Sequence, residues 1–251
     1  MNVIPRLRMF AGPNGKGKST LKSVISPALL GVYINPDEIE KEIGQFDFLD
    51  LASYGILTRG DEVLSFFRHS PLLEKAGLLD EADELRFSDD KLSFFAVSVN
   101  AYFASVAADF IRRKLLETGV SFTFETVMSF SDKVELLRNA QLRGFRTYLY
   151  FIATEDPIIN ISRVRHRVKM GGHPVPEDKI ISRYRRSLDL LREAVRYSHR
   201  AYIFDNSGSE RVWLAEVTEG KVIELKTNAM PHWFKSALWD CFEDPAIRDA
   251  T

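Results

Sequence analysis

Residues 12–20 read GPNGKGKST and follow directly on the apolar run RLRMFA at 6–11. The stretch satisfies G-x-x-x-x-G-K-[ST], with Gly12, Gly17, Lys18 and Ser19 in the fixed places, Pro13, Asn14, Gly15 and Lys16 between them, and Thr20 after. Context matters more than the match. The run before it reads as a strand, and KSTLKSVISPALL after it reads as a helix. In a strand–loop–helix turn the loop N–H groups and the positive end of the helix dipole converge on a phosphate. The spacing therefore assigns residues 12–20 to nucleotide binding, with Lys18 reaching the β- and γ-phosphates and the Ser19 hydroxyl holding Mg²⁺. A Gly-rich turn with a surface lysine is the bland alternative, and the two flanking elements argue against it.

Working outward, strand-like and helix-like segments alternate. GVYIN (31–35) reads as a second strand and PDEIEKEIG (36–44) as a helix; VSFTFET (120–126), GFRTYLYFIAT (144–154) and RAYIFDN (200–206) supply three more strands. Helices are expected over SDKVELLRNAQLR, DPIINISRVRHRV and EDKIISRYRRSLDLLREAVRYS, and over about residues 93–116. This order predicts an α/β fold of the P-loop NTPase kind, a mostly parallel five-stranded sheet flanked by helices. RVWLAEVTEGKVIEL reads as a hairpin around Glu219-Gly220, followed by an amphipathic helix near residue 232. One domain over 1–251 is expected, with an acidic helical insertion at 58–92, an Arg-rich segment at 162–186 and a C-terminal extension at 207–251.

Composition bounds the function. The 251 residues are 45% hydrophobic and carry a formal net charge of −1, so neither an anionic membrane nor a nucleic-acid partner is favoured by the molecule as a whole. The single cysteine excludes an intrachain disulfide and the N-terminal residues lack a signal-peptide core, which fits a reducing cytoplasm. FFAVSVNAYFASVAADFI is interrupted by Asn100 and Asp109 and reads as a buried helix instead of a membrane span. The histidines show no metal-ligand spacing.

Two carboxylates follow strand ends, the edge at which open α/β sheets bind ligands: Asp37 in YINPDEIE and Glu125 in FTFET. Asp37 is a candidate site residue and equally a candidate helix cap. Glu125 ends an apolar run, so burial requires a polar partner. Between residues 162 and 186 eight cations face two acids, Glu177 and Asp178. On a helix, Ile161, Val164 and Val168 form an apolar stripe with Arg163 and Arg167 on one flank and Arg165 and Lys169 on the other. Together with the GGHPVP break this suits a lid that contributes arginine charge to phosphoryl transfer; a solvated, salt-bridged face is the competing reading.

FAGPNGKGKST, YINPDEI, FETVMS and RVRHRVKMGGHPVPEDKIISRYRRS, taken in order, resemble the zeta toxin family over about residues 6–206. The resemblance implies a kinase-type P-loop fold and an enzyme that uses ATP and Mg²⁺ to phosphorylate a sugar hydroxyl of UDP-N-acetylglucosamine, a nucleotide sugar. It further implies that Lys18 is the phosphate-loop lysine, that Asp37 takes the proton of the sugar hydroxyl, that Glu125 and Thr126 hold the sugar and that Arg167 or Arg163 grips the phosphates. Where the family carries a second lid arginine, this chain has His173. An antitoxin protein is the partner such a resemblance brings. The alternatives are an ATP-dependent switch that sequesters a partner without phosphotransfer, and a kinase of nucleic-acid ends.

Overall fold

The structure, a computed structural model, describes residues 4–13, 22, 25–171 and 174–243. Among these the strands are β1 (Arg6–Ala11), β2 (Val32–Ile34), β3 (Phe48–Asp50), β4 (Arg86–Ser88), β5 (Lys91–Ser93), β6 (Phe122–Thr126), β7 (Arg146–Ala153), β8 (Arg200–Asp205), β9 (Val212–Thr218) and β10 (Val222–Leu225). The helices are α1 (Pro27–Leu30), α2 (Pro36–Phe46), α3 (Gly60–Arg68), α4 (Pro71–Ala76), α5 (Leu79–Asp83), α6 (Ala101–Thr118), α7 (Asp132–Leu142), α8 (Pro157–Lys169), α9 (Glu177–Asp189) and α10 (Leu191–Arg196). A C-terminal helical segment runs from α11 (His232–Phe234) through a π turn to α12 (Asp240–Glu243). The chain divides into two compact units, one of residues 31–124 and one of residues 1–30 with 125–251.

In the second of these units β1 pairs in parallel with β7, and β7 in parallel with β8. The hairpin β9–β10 then continues the sheet antiparallel from β8, so the segment after residue 207 lengthens the sheet. Period-two alternation sends Leu7, Met9, Leu149, Phe151, Ile203 and Ala215 to one face, all fully buried, and α7 and α10 pack on β7. The hairpin turn is set by Glu219 (φ 53°) and Gly220 (φ 64°), both left-handed, with the Lys221 amide donating to the Thr218 carbonyl at 3.0 Å. Two consecutive left-handed residues are the type I′ signature, whose twist matches that of the strands.

In the unit of residues 31–124, β2 pairs in parallel with β6, with Val32 opposite Phe122 and Ile34 opposite Phe124. All five strands expected to be parallel, β1, β2, β6, β7 and β8, enter parallel pairs. α6 packs against α2, and a cluster of aromatic rings fills the space beneath α3: Phe67, Phe94 and Phe103 lie with centroids 6.1 to 6.5 Å apart. Two boundaries depart from the sequence expectation. The helix read from about residue 93 begins at Ala101, because the Asn100 side chain accepts from the amides of Tyr102 and Phe103 and starts the helix there. Ser93 belongs instead to β5, in a small antiparallel sheet of order β3-β5-β4. The stretch 58–92 is thus helical only in part; β4 and β5 meet at Asp89 and Asp90, both left-handed (φ 50° and 58°). No described helix is long and apolar enough to cross a membrane.

A glutamate at the first left-handed position of the β9–β10 turn is unfavourable next to asparagine, which tolerates that conformation. Glu219→Asn is expected to stabilise the protein by about 0.5–1 kcal/mol, read as a raised midpoint in thermal or urea denaturation.

Candidate functional site

β1 ends at Ala11, and the next residue already shows what the turn demands. Gly12 has φ 137°, and a Cβ built on it would lie 1.9 Å from the Ile152 carbonyl oxygen, a backbone atom that cannot swing aside. Only glycine lets the chain leave β1 this close to β7. Pro13 follows; Asn14, Gly15, Lys16, Gly17, Lys18, Ser19 and Thr20 lie outside the described residues, as does His173.

Glu125 and Thr126 close β6. Glu125 is 9% exposed, and Thr126 is half-buried. Directly after them the backbone does something no motif announces: Met128 is left-handed (φ 54°) and completely buried. For an unbranched L-residue this conformation costs about 1–2 kcal/mol, and it persists because its surroundings over-determine it. One part of those surroundings is a hydrogen bond: the Met128 amide donates to Thr126 Oγ1 at 3.0 Å. With one lone pair of the hydroxyl taken by that amide, Thr126 keeps its proton and a second lone pair for a further partner. Beyond the turn, the Arg186 guanidinium lies 4.8 Å above the exposed Phe130 ring.

The ends of β7 and β8 are tied by a buried polar network. Asp205, 7% exposed, accepts from the Trp233 indole at 2.8 Å and from the Ser207 amide and hydroxyl at 2.9 and 2.8 Å. Ser207 Oγ in turn accepts from the Glu155 amide at 2.8 Å. Thr154 bonds the buried Asn160 side chain, and Tyr184 donates to the Thr154 carbonyl at 2.6 Å. Burial, with Glu155, Asp156 and Asp205 nearby, pushes the Tyr184 phenol above its ordinary range and keeps it a donor. α8 is rooted here, its N-cap Asp156 accepting from the Ile158 amide at 2.7 Å.

Along α8 the expected stripe holds for two turns. Ile161 and Val164 are buried against Ile180, whereas Val168 is 36% exposed. Arg163 and Arg167 sit half-buried on one flank, and Arg163 Nη2 donates to the Gly208 carbonyl at 3.3 Å. The other flank is solvated; Arg165 pairs with Glu177 of α9 at 2.5 Å. The solvated, salt-bridged reading therefore holds for the Arg165 flank.

In the unit of residues 31–124, Asp37 is exposed in the first turn of α2. The cap of that helix is Asn35, whose Oδ1 accepts the Asp37 amide at 2.9 Å, with Pro36 at the first helical position. Capping does not account for Asp37. The sequence reading missed Asn35 although Asn-Pro before an apolar-periodic segment is a start signal; for Met128 nothing in the residue type announces a left-handed turn. His199 does structural work, its Nδ1 accepting the Thr147 amide at 3.1 Å.

Two outcomes are expected. Gly12→Ala loses about 2–4 kcal/mol in urea denaturation, since both the φ and the Ile152 carbonyl oppose a methyl group. Thr126→Val loses about 1–3 kcal/mol because the buried Met128 amide is stranded, while Thr126→Ser, which keeps the acceptor, stays within about 1 kcal/mol of the parent.

The Zeta toxin profile matches residues 90–218, a segment that includes Glu125, Thr126, Arg163 and Arg167. A curated relative from Haemophilus influenzae, described as an uncharacterized protein, is 32% identical over 65 residues, which are 26% of this chain and 46% of the relative's length. Among solved structures, one from the PezAT chromosomal toxin-antitoxin system of Streptococcus pneumoniae superposes with a TM-score of 0.51 at 14% identity over 98% of this chain and 82% of that one. The AvrRxo1-ORF1:AvrRxo1-ORF2 complex with sulphate ions gives 0.53 at 14% identity over 90% of this chain and 62% of its own. These two likenesses establish the fold. The profile covers more than half of the sequence, and the chain belongs to the Zeta toxin family, with the P-loop fold of kinase-type phosphotransferases.

Proposed function

We propose that the protein is an ATP-dependent kinase that transfers a phosphoryl group to a sugar hydroxyl of a nucleotide sugar such as UDP-N-acetylglucosamine. Residues 12–20 would hold MgATP, Lys18 on the phosphates and Ser19 on the metal. The residues present fit that ligand: Gly12 leaves β1 with no room for a side chain, the bare backbone that a phosphate-cradling turn requires. When bound, MgATP supplies the transferable phosphoryl group and the divalent charge that offsets it.

The rest of the chemistry falls to the chain's own side chains. Asp37 accepts the proton of the attacking hydroxyl. Glu125 and Thr126 hold the acceptor, the Thr126 hydroxyl being oriented by the Met128 amide that it receives. Arg167 and Arg163 hold charge developing on the phosphoryl oxygens, and His173 stands where a second lid arginine is expected. An antitoxin protein is the partner proposed, in keeping with the toxin-antitoxin system to which one structural neighbour belongs, and the cytoplasm the compartment.

One observation carries the kinase over a nucleotide switch. Asn35, not Asp37, caps α2, so the carboxylate has no capping role to explain it, and a switch has no use for a base. Asp37→Asn is the test. Folding stability should hardly change, MgATP affinity by calorimetry should be retained, and ADP release with a panel of nucleotide sugars should fall by about 10²–10⁴, the usual range for a general base. A comparable rate in the variant would sink the assignment of Asp37; loss of ATP affinity on Lys18→Ala is the matching check on the loop.

A further inference from the structure

The sheet of β1, β7, β8, β9 and β10 has two unlike faces. The face opposite the buried apolar one carries the alternate residues: beside the buried Phe10 and Ile152 these are mostly tyrosines, a tryptophan and arginines. Tyr150 and Tyr202 stack at 4.8 Å with rings 22° from parallel, and Trp213 lies 6.1 Å from Tyr202 and 6.3 Å from Phe204. Tyr148, Tyr150, Tyr202 and Phe204 are only half-buried and Trp213 is 40% exposed. Rings of this size left in water across three adjacent strands are unusual for a surface without a ligand.

Each outer ring has a cation beside it. Arg8 lies 5.0 Å over Tyr148, Arg211 5.4 Å over Phe204 and Lys226 5.1 Å over Trp213. The carboxylates on this side are Glu216, which pairs with Arg200 and Lys226, and Glu224, which pairs with Lys226 at 2.5 Å. They leave Arg8 out of account. It is 4% exposed, and its Nη1 is buried with no hydrogen-bond partner among the described residues. A buried guanidinium N–H without an acceptor is costly, and an anion reaching it past the half-exposed tyrosines would remove the cost.

We infer that this face binds single-stranded nucleic acid, its bases against Trp213, Phe204 and Tyr202 and its phosphates on Arg8, Arg211 and Lys226. The reason for a nucleic acid over an acidic peptide is the pairing of ring with cation. A carboxylate needs only the cation, whereas each nucleotide brings one planar π-surface and one phosphate. Three neighbouring strands about 4.8 Å apart offer room for two or three nucleotides, as on other β-sheet platforms that stack bases. The net charge of −1 is no obstacle, because on this face Arg8, Arg200, Arg211 and Lys226 outnumber Glu216 and Glu224. The inference does not depend on the kinase reading.

The test is fluorescence anisotropy of the full chain with labelled oligouridylate and oligothymidylate of about 12 nucleotides at low salt. Binding with a Kd between about 10⁻⁶ and 10⁻⁴ M is expected, with log K falling against log salt at a slope of about −2, the value for three phosphate contacts on a single strand. Trp213→Ala and Arg211→Gln, both at partly exposed positions, should each weaken binding about tenfold while MgATP affinity is unchanged. No binding by the parent, binding that both variants leave untouched, or binding that disappears with Lys18→Ala would overturn the proposal, the last because the phosphate loop would then be the site. A dimer in light scattering that Trp213→Ala dissolves would also overturn it, since the face would then serve a second copy of the chain.

Discussion

The contact on which the candidate site depends is the one between Gly12 and the carbonyl of Ile152. β1 and β7 run in parallel register from Arg6 opposite Arg146 to Ala11 opposite Phe151. One residue further on, the chain has to turn into the phosphate loop while still lying against its neighbour. Any Cβ at Gly12 would meet the Ile152 carbonyl oxygen at 1.9 Å, so the turn is possible only where the side chain is a hydrogen atom. This gives the first fixed glycine of the loop a reason that precedes any ligand. The strand pair decides where the chain leaves β1.

The same logic extends along the ends of β7 and β8. The Asn206 amide donates to the Ala153 carbonyl at 2.8 Å, so the two strands stay paired up to the loops that leave them. Thr154, Asn160 and Asp205 are buried, and each is bonded, which is the condition under which buried polar groups rigidify a site instead of weakening it. Trp233 brings the C-terminal helical segment onto Asp205, and His232 donates its amide to Glu155 Oε1 at 3.1 Å. The root of α8 is therefore held from several directions, while Arg165 and Lys169 further along are exposed. A segment anchored at its base and solvated beyond it can reposition arginines without disturbing the sheet.

Much of this was legible because it is local. The five parallel strands are short apolar runs bounded by glycine or asparagine, and the β9–β10 turn announces itself as Glu-Gly between alternating residues. What escaped reading depends on partners far along the chain. Ser93 is a strand residue only because Phe48 and Arg86 flank it, and nothing in SFFAVSV distinguishes that from the start of a helix until Asn100 is recognised as a cap. Asp89 and Asp90 read as two more charges in an acidic stretch, yet they are the left-handed pair that turns β4 into β5. At the site, Asp37 and Asn35 are two residues apart and compete for one role; only the hydrogen bond at 2.9 Å settles which of them caps. Met128 is the harder case, since a left-handed conformation at a buried methionine is imposed by the packing around it.

Alternation explains why the sheet's second face was overlooked. In RTYLYFIA Thr147, Leu149, Phe151 and Ala153 are all buried, which satisfies the expectation of a core strand and hides the question of what Tyr148 and Tyr150 do. Tyr148 and Tyr150 are aromatic enough to pass as core. They are amphipathic, and burial together with neighbouring tyrosines raises the Tyr150 phenol to about 12, so it stays protonated at neutral pH. A strand whose inward residues are buried and whose outward residues include Arg146, Tyr148 and Tyr150 has one side made for packing and another that carries hydrogen-bonding groups. The first side packs β1 and β7 into the core; on the second, substitutions at the half-exposed tyrosines leave that buried layer intact.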